Sequence, residues 1–281
     1  MSRLALPTKQ RRMKARAASA IGPVLAVAAM PTAVGSATGR PVHPPRATGA
    51  IAHGTPAGAM PFVVALVAHG RAPGQGLQCG ATVVAPTVVV TAAHCVANQS
   101  ADAFDVVAGT VWLSRSGQQR VPVARSRAYP GWVANIDHGD VAVLTLARAL
   151  PEPAVRLDLS RLRAGTRLTI AGWGLTAGSR QLSDRLLQTT LRVRRDGYCR
   201  RYDDVYRTSW DMCASDLPRD ACDGDSGGPA FVRARGRLEL AGVISWGSAH
   251  CPSRHGMPGF YSRLSGIRSW LEQTIAAAQR P

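Results

Sequence analysis

From residue 61 onward the chain is written in short β-branched runs, each closed by Gly, Pro, Asn or Asp. One series covers 61–68, 81–91, 104–108, 120–125 and 141–146; a second covers 167–171, 186–193, 229–232, 238–245 and 259–263. Short strands at regular spacing with turn signals predict an all-β barrel or sandwich architecture, not a parallel α/β sheet. Between the series, 148–165 carries Pro151 and Pro153 with little β pattern and reads as a linker between two halves. Only the end is helical in pattern: Ile267, Trp270, Leu271 and Ile275 recur at the spacing of a stripe laid on a core. No internal repeat is visible, and 281 residues suffice to bury a core without metal staples.

The net charge of +17 resembles a nucleic-acid signal until it is divided by position. Residues 1–50 hold both lysines of the chain, Lys9 and Lys14, with six arginines and no acid. Residues 51–281 hold 26 arginines against 17 acids, and these arginines form no long block. The balance argues for a solvated basic surface with weak adhesion to anions, and no specific nucleic-acid partner. Arg3, Lys9, Arg11, Arg12, Lys14 and Arg16 precede an interrupted apolar stretch over about 17–33 and a small-residue segment, the pattern of a secretory leader. Met13-Lys14 stand where a twin-arginine signal would have an apolar pair. The expected leader is a signal peptide over 1–37 of an exported, extracellular protein with no membrane span; the family resemblance given below implies a propeptide over 38–50 and a domain over 51–281. Six cysteines downstream of the leader, none in a Cys-x-x-Cys pair, point to three disulfides in an oxidising compartment rather than to a metal site. Spacing alone leaves their connectivity open.

Three motifs carry chemistry. Thr91-Ala92-Ala93-His94-Cys95 ends an apolar strand, Asp140-Val141-Ala142-Val143-Leu144 begins another, and Gly224-Asp225-Ser226-Gly227-Gly228-Pro229 lies between Cys222 and a strand. In the order His, Asp, Ser, with Ala171-Gly172-Trp173-Gly174 and Ser245-Trp246-Gly247 also in family order, the chain over about 51–280 resembles the chymotrypsin-like serine peptidases, as a trypsin-like member. Each motif alone has a bland reading: a core histidine, a strand cap, a glycine turn. Their joint occurrence in this order is what excludes it. The resemblance implies two antiparallel six-stranded Greek-key barrels, about 51–150 and 166–281, with a C-terminal helix.

It also implies roles. Ser226 would be the nucleophile, His94 the base that takes its proton, and Asp140 the carboxylate that holds the histidine tautomer. The N–H groups of Gly224 and Ser226 would form the oxyanion hole. Among the other histidines only His138, two residues from Asp140, rivals His94, and its neighbours do not fit. The implied disulfides are Cys79 with Cys95, Cys199 with Cys213, and Cys222 with Cys251.

Asp220, six residues before Ser226, falls where trypsin-like members place the floor of the primary specificity pocket, and Ser245, Trp246, Gly247 and Gly259 fall on its walls. A carboxylate at the base of an open slot selects a long cation. Ala221 replaces the serine common in trypsins, removing a hydroxyl that would serve a lysine ammonium, so cleavage after Arg is expected to exceed cleavage after Lys. Asp223, at the lip, stands where glutamine is common and is expected to disfavour acidic residues near the scissile bond. Ile51-Ala52-His53-Gly54 matches the mature N-terminus of the family at Ile51 but not at His53. A new ammonium at Ile51 would bury against Asp225. Ala50 is a poor site for an Arg-specific enzyme, so a separate activating protease is expected. No cofactor or metal is implied: within 104–120, near where some trypsins bind calcium, Asp105 is the sole acid. Expected partners are protein or peptide substrates with Arg or Lys and protein inhibitors, with the chain a monomer. The rival reading is a catalytically silent, arginine-rich homologue that binds anionic surfaces.

Overall fold

Fourteen strands account for almost all of the regular structure in the computed structural model, which describes residues 51–134, 138–176, 181–248, 251 and 256–280. The leader and propeptide assigned to 1–50 lie outside the described residues, as do His250 and His255. A two-residue strand, β1 (Thr55–Pro56), precedes β2 (Val63–Ala68), β3 (Leu77–Ala85), β4 (Val88–Thr91), β5 (Phe104–Ala108), β6 (Gln119–Ala128) and β7 (Ala142–Leu146). Another short strand, β8 (Arg156–Leu157), leads into β9 (Arg167–Gly172), β10 (Leu187–Val193), β11 (Asp211–Ser215), β12 (Pro229–Ala234), β13 (Arg237–Trp246) and β14 (Gly259–Arg263). The short helices α1 (Pro73–Gly76) and α2 (Asp196–Cys199) sit in connections, and α3 (Arg268–Ala278) ends the fold.

The first six long strands close into a barrel in the order β2-β3-β4-β7-β6-β5, all neighbours antiparallel. The second six close as β9-β10-β11-β14-β13-β12, because β9 pairs with both β10 and β12. Closure removes the open sheet edges that would otherwise seek partners. β1 extends the second barrel along β10, and β8 pairs in parallel with β13. The interiors follow from alternation: Leu66, Phe104, Val106 and Leu144 fill the first barrel, while Leu168, Ile170, Leu191 and Met212 fill the second, all buried. Phe62 meets Phe231 edge to face at 5.2 Å. The two barrels touch through backbone where Gly80 of β3 donates its N–H to the Ser226 carbonyl at 2.8 Å.

Three departures from the sequence pattern have physical causes. The run 81–91 is two strands, since Pro86 has no N–H to continue the ladder and Ala85 pairs back on Val88. The linker contains β8, held by only two register pairs to β13. β11 escaped the pattern because Asp-Met-Cys-Ala-Ser has no β-branched residue, although all five positions are buried. The helix runs over 268–278 with Leu271 and Thr274 buried, preceded by a 3₁₀ turn over Leu264–Ile267. The hairpin between β12 and β13 turns on Arg235 (φ +48°) and Gly236 (φ +77°), the left-handed pair that a two-residue turn of matching twist requires.

The disulfides pair as Cys79–Cys95, Cys199–Cys213 and Cys222–Cys251. Each restricts the unfolded chain and contributes about 2–4 kcal/mol.

Gly227 is the tightest point between the barrels: its φ is +75°, and a Cβ there would lie 2.2 Å from Thr91 Oγ1 and 2.5 Å from the Gly80 carbonyl oxygen. Gly227→Ala is expected to lower stability by at least about 2 kcal/mol, read as a fall in the midpoint of thermal unfolding. An unchanged midpoint would contradict the packing described.

Candidate active site

The candidate site is assembled by the ends of strands from both barrels. β4 ends at Thr91, and the chain then turns so that His94 stands at the rim, its side chain 32 % exposed. Asp140 lies just before β7, fully buried. Its Oδ2 is 2.7 Å from His94 Nδ1, and its Oδ1 accepts the His94 backbone N–H at 2.8 Å. The Ser245 hydroxyl, from β13 of the other barrel, donates a short hydrogen bond to Asp140 Oδ2. Three donors thus satisfy this buried carboxylate, and the other ring nitrogen of His94, Nε2, lies 3.7 Å from Cys95 Sγ. Ser245, expected among the pocket residues, therefore has its side chain committed to Asp140.

Ser226 reaches the rim on the glycine turn 224–228, partly exposed. The Gly80 N–H holds the Ser226 carbonyl, the Thr91 hydroxyl holds the Gly80 carbonyl at 2.7 Å, and Gly227 packs on Thr91 and Ala92, two residues before His94. Gly224 has φ +90°, a left-handed backbone that glycine adopts freely.

Behind the turn Asp225 is entirely buried. Its Oδ1 accepts the Gly174 N–H and its Oδ2 the Cys222 N–H, both at 2.8 Å, and the Ile51 N–H also donates to it. Burial nevertheless pushes its pKa up to about 7, with the three backbone donors opposing. Room for the carboxylate is made by two glycines of the Gly-Trp-Gly motif: a Cβ on Gly172 would lie 2.1 Å from Asp225 Oδ1, and one on Gly174 would lie 2.6 Å from its Cγ. Ile51 is fully buried at φ +52°, beside the bridge from Ala52 to Asp220.

Asp220 is 4 % exposed and accepts the Ala221 N–H at 2.9 Å. Burial raises its pKa to about 7. A Cβ on Gly259 would lie 2.7 Å from Asp220 Oδ1 and 2.9 Å from Tyr261 Oη, so any side chain there would collide with both. Gly247 lies beside Gly259, a Cβ on it falling 3.8 Å from the Gly259 Cα. Trp246 stacks on Phe260, with parallel rings 4.9 Å apart, and donates its indole N–H to Asp203 at 3.1 Å. Cys222–Cys251 joins the segment after Asp220 to the segment after Trp246, and Asp223 is exposed.

Tyr261 is a site residue the sequence reading missed. It is fully buried, its hydroxyl has no hydrogen-bond partner among the described residues, and burial holds its pKa well above the usual phenol range, with Asp220 and Asp225 adding to the rise. The signal was available in period two: Tyr261 follows Gly259 by two residues on β14 and shares its face. His138 is the other correction to a loop-like reading. It is buried, with Nδ1 2.8 Å from Asp211 Oδ2 and its ring beside Trp210, turned to a carboxylate other than Asp140. Asp105, read as a poor calcium ligand, is paired with Arg120 Nε at 2.7 Å and with His69 Nδ1 at 3.0 Å. The Cys79, His94, Cys95 grouping is no metal centre, because both sulfurs are joined to each other.

Comparison with known proteins agrees with this geometry. The trypsin family profile matches residues 52–271. A trypsin from Saccharopolyspora erythraea is 36 % identical over 225 residues, covering 77 % of this chain and 93 % of the relative. Human kallikrein-5 is 34 % identical, covering 72 % of this chain and 69 % of the relative. The solved structure of the Vibrio cholerae VesB protease superposes with a TM-score of 0.67 at 29 % identity, over 80 % of this chain and 67 % of that one. The chain belongs to the trypsin family of chymotrypsin-like serine peptidases. It is a trypsin-like serine endopeptidase.

The raised pKa of Asp220 has a measurable consequence. On the reading proposed below, in which Asp220 receives a substrate cation through its ionised carboxylate, an aryl amidine inhibitor is expected to bind about tenfold tighter at pH 8 than at pH 6. Asp220→Asn is expected to weaken binding and flatten that dependence. A wild-type pH dependence retained in the variant would place its origin elsewhere.

Proposed function

We propose that the enzyme is exported and hydrolyses peptide bonds after Arg, and less well after Lys, through an acyl-enzyme on Ser226. His94 takes the Ser226 proton as the hydroxyl oxygen attacks the scissile carbonyl, and the resulting imidazolium returns that proton to the leaving amine. Water then attacks the ester, again losing a proton to His94, and Ser226 regains its hydrogen as the acid product departs. Asp140 keeps Nδ1 protonated and compensates the imidazolium charge. The N–H groups of Gly224 and Ser226 would hold the developing oxyanion, one such donor being worth about 3–4 kcal/mol in the transition state.

The observation that carries the substrate preference is Asp220, a buried carboxylate beside a slot that Gly259 leaves open. A guanidinium can meet it with two parallel N–H donors, whereas Ala221 offers an ammonium no hydroxyl. The experiment is a mixed peptide library incubated with processed enzyme and with a Ser226→Ala control, the cleaved bonds being read by mass spectrometry. Cuts after Arg that exceed cuts after Lys, and a loss of about 10⁶-fold in turnover in the control, are the expected result. Equal rates on matched arginyl and lysyl amides would reject the preference. Cleavage undiminished in Ser226→Ala would reject the nucleophile, and a wild type inert to serine-directed phosphonates would favour the silent, anion-binding homologue.

We further propose a zymogen switch at Ile51. Its N–H already donates to a carboxylate whose pKa burial has raised, so a free ammonium there would supply the missing charge and order the turn 224–228. N-terminal sequencing of active material is expected to begin at Ile51. A start at Ala47 would overturn the switch in this form.

A further inference from the structure

A second basic site lies on the second barrel, built from three separate stretches of chain. Arg161 and Arg163 come from the segment before β9, Arg194 and Arg195 from the end of β10, and Arg263 from the end of β14; together with Asp196 they line a cavity of about 410 Å³. Five arginines thus line the cavity beside a single carboxylate. Asp196 is already shared: it accepts from Arg161 Nη2 at 2.9 Å and from the Tyr206 hydroxyl at 2.6 Å, and Arg263 Nη2 lies 4.0 Å from it.

Arg263 is only 4 % exposed, and its Nη1 has no hydrogen-bond partner among the described residues. Its Nε is spent on the Asp211 carbonyl at 3.1 Å. The Asp211 carboxylate behind it is engaged by His138 and by the Arg207 N–H. A buried guanidinium with an unmet donor is costly unless something anionic completes it. Arg194 is held in place by its bond to Ser215 Oγ at 2.8 Å and by the Tyr198 ring. Arg163 and Arg195 are exposed at the mouth, and their guanidinium groups engage no acceptor among the described residues. The arrangement therefore has a fixed cationic floor and two uncommitted arms.

We propose that this cavity binds a tetrahedral oxyanion, a sulfate or phosphate group. Donors converging from three stretches of chain suit a group with three or four charged oxygens better than the two oxygens of a carboxylate, and guanidinium is the side chain best shaped for such oxygens. The site is separate from the cleft, so its occupation does not require the catalytic residues.

The test is a calorimetric titration of the full chain with inorganic phosphate, with sulfate and with acetate, at matched ionic strength so that general screening is constant. Saturable binding of phosphate and sulfate, with acetate at least tenfold weaker, is expected. In the double variant Arg163→Gln, Arg195→Gln phosphate binding should weaken about tenfold, while thermal unfolding without ligand and peptide cleavage stay at the wild-type level. A parallel titration with a sulfated hexasaccharide identifies the source: tighter binding than free sulfate, lost in the same variant, assigns a polymer-borne group, and equal binding assigns the free ion. Affinity for phosphate unchanged in the double variant, or acetate binding as tightly as phosphate, would overturn the proposal.

Discussion

A single buried carboxylate, Asp225, organises the region on which the site depends. It is surrounded by backbone: the N–H groups of Ile51, Gly174 and Cys222 converge on it, and two glycines of the Gly-Trp-Gly motif clear the space it occupies. Those donors reduce the penalty of burying an acid but do not cancel it, since its pKa remains raised. The turn carrying Ser226 is thereby pinned from behind by Asp225 and from in front by Gly80 and Thr91. Neither barrel alone contains all of these contacts. The position of the serine is a property of the contact between the two barrels.

The same contact explains the division of labour among the acids. Asp140 and Asp225 are both fully buried, yet Asp140 has two side-chain donors from opposite barrels and a backbone N–H, whereas Asp225 has backbone donors only. Asp220 has a single backbone donor, the Ala221 N–H, and lies against Gly259 and Tyr261. Three aspartates with similar burial are thus differentiated by their neighbours.

Much of this was legible from residues whose chemistry tolerates no substitute. His94, Asp140 and Ser226 stood in motifs whose order pointed to one family, and the disulfide pairs implied by that resemblance are the pairs observed. The two barrels were legible where β-branched residues alternate. What stayed hidden had no local signal. β11 is built from Met, Cys and Ala, and its burial comes from neighbours in the second barrel. The bond from the Ser245 hydroxyl to Asp140 left no local trace because the two residues are 105 positions apart. Tyr261 and the paired His138 and Asp211 acquire meaning only when β11 and β14 are seen side by side.

From residue 51 onward the chain carries 26 arginines and no lysine, so the preference proposed above for cleavage after Arg would make its own surface a substrate. The hairpin tip at Arg235 and Gly236 holds one such exposed arginine. Its backbone is coiled into a left-handed turn between strands paired in register, which holds the bond following Arg235 out of the extended conformation until the hairpin opens. Longevity in solution is then set by how often such tips fray rather than by how many arginines the surface displays.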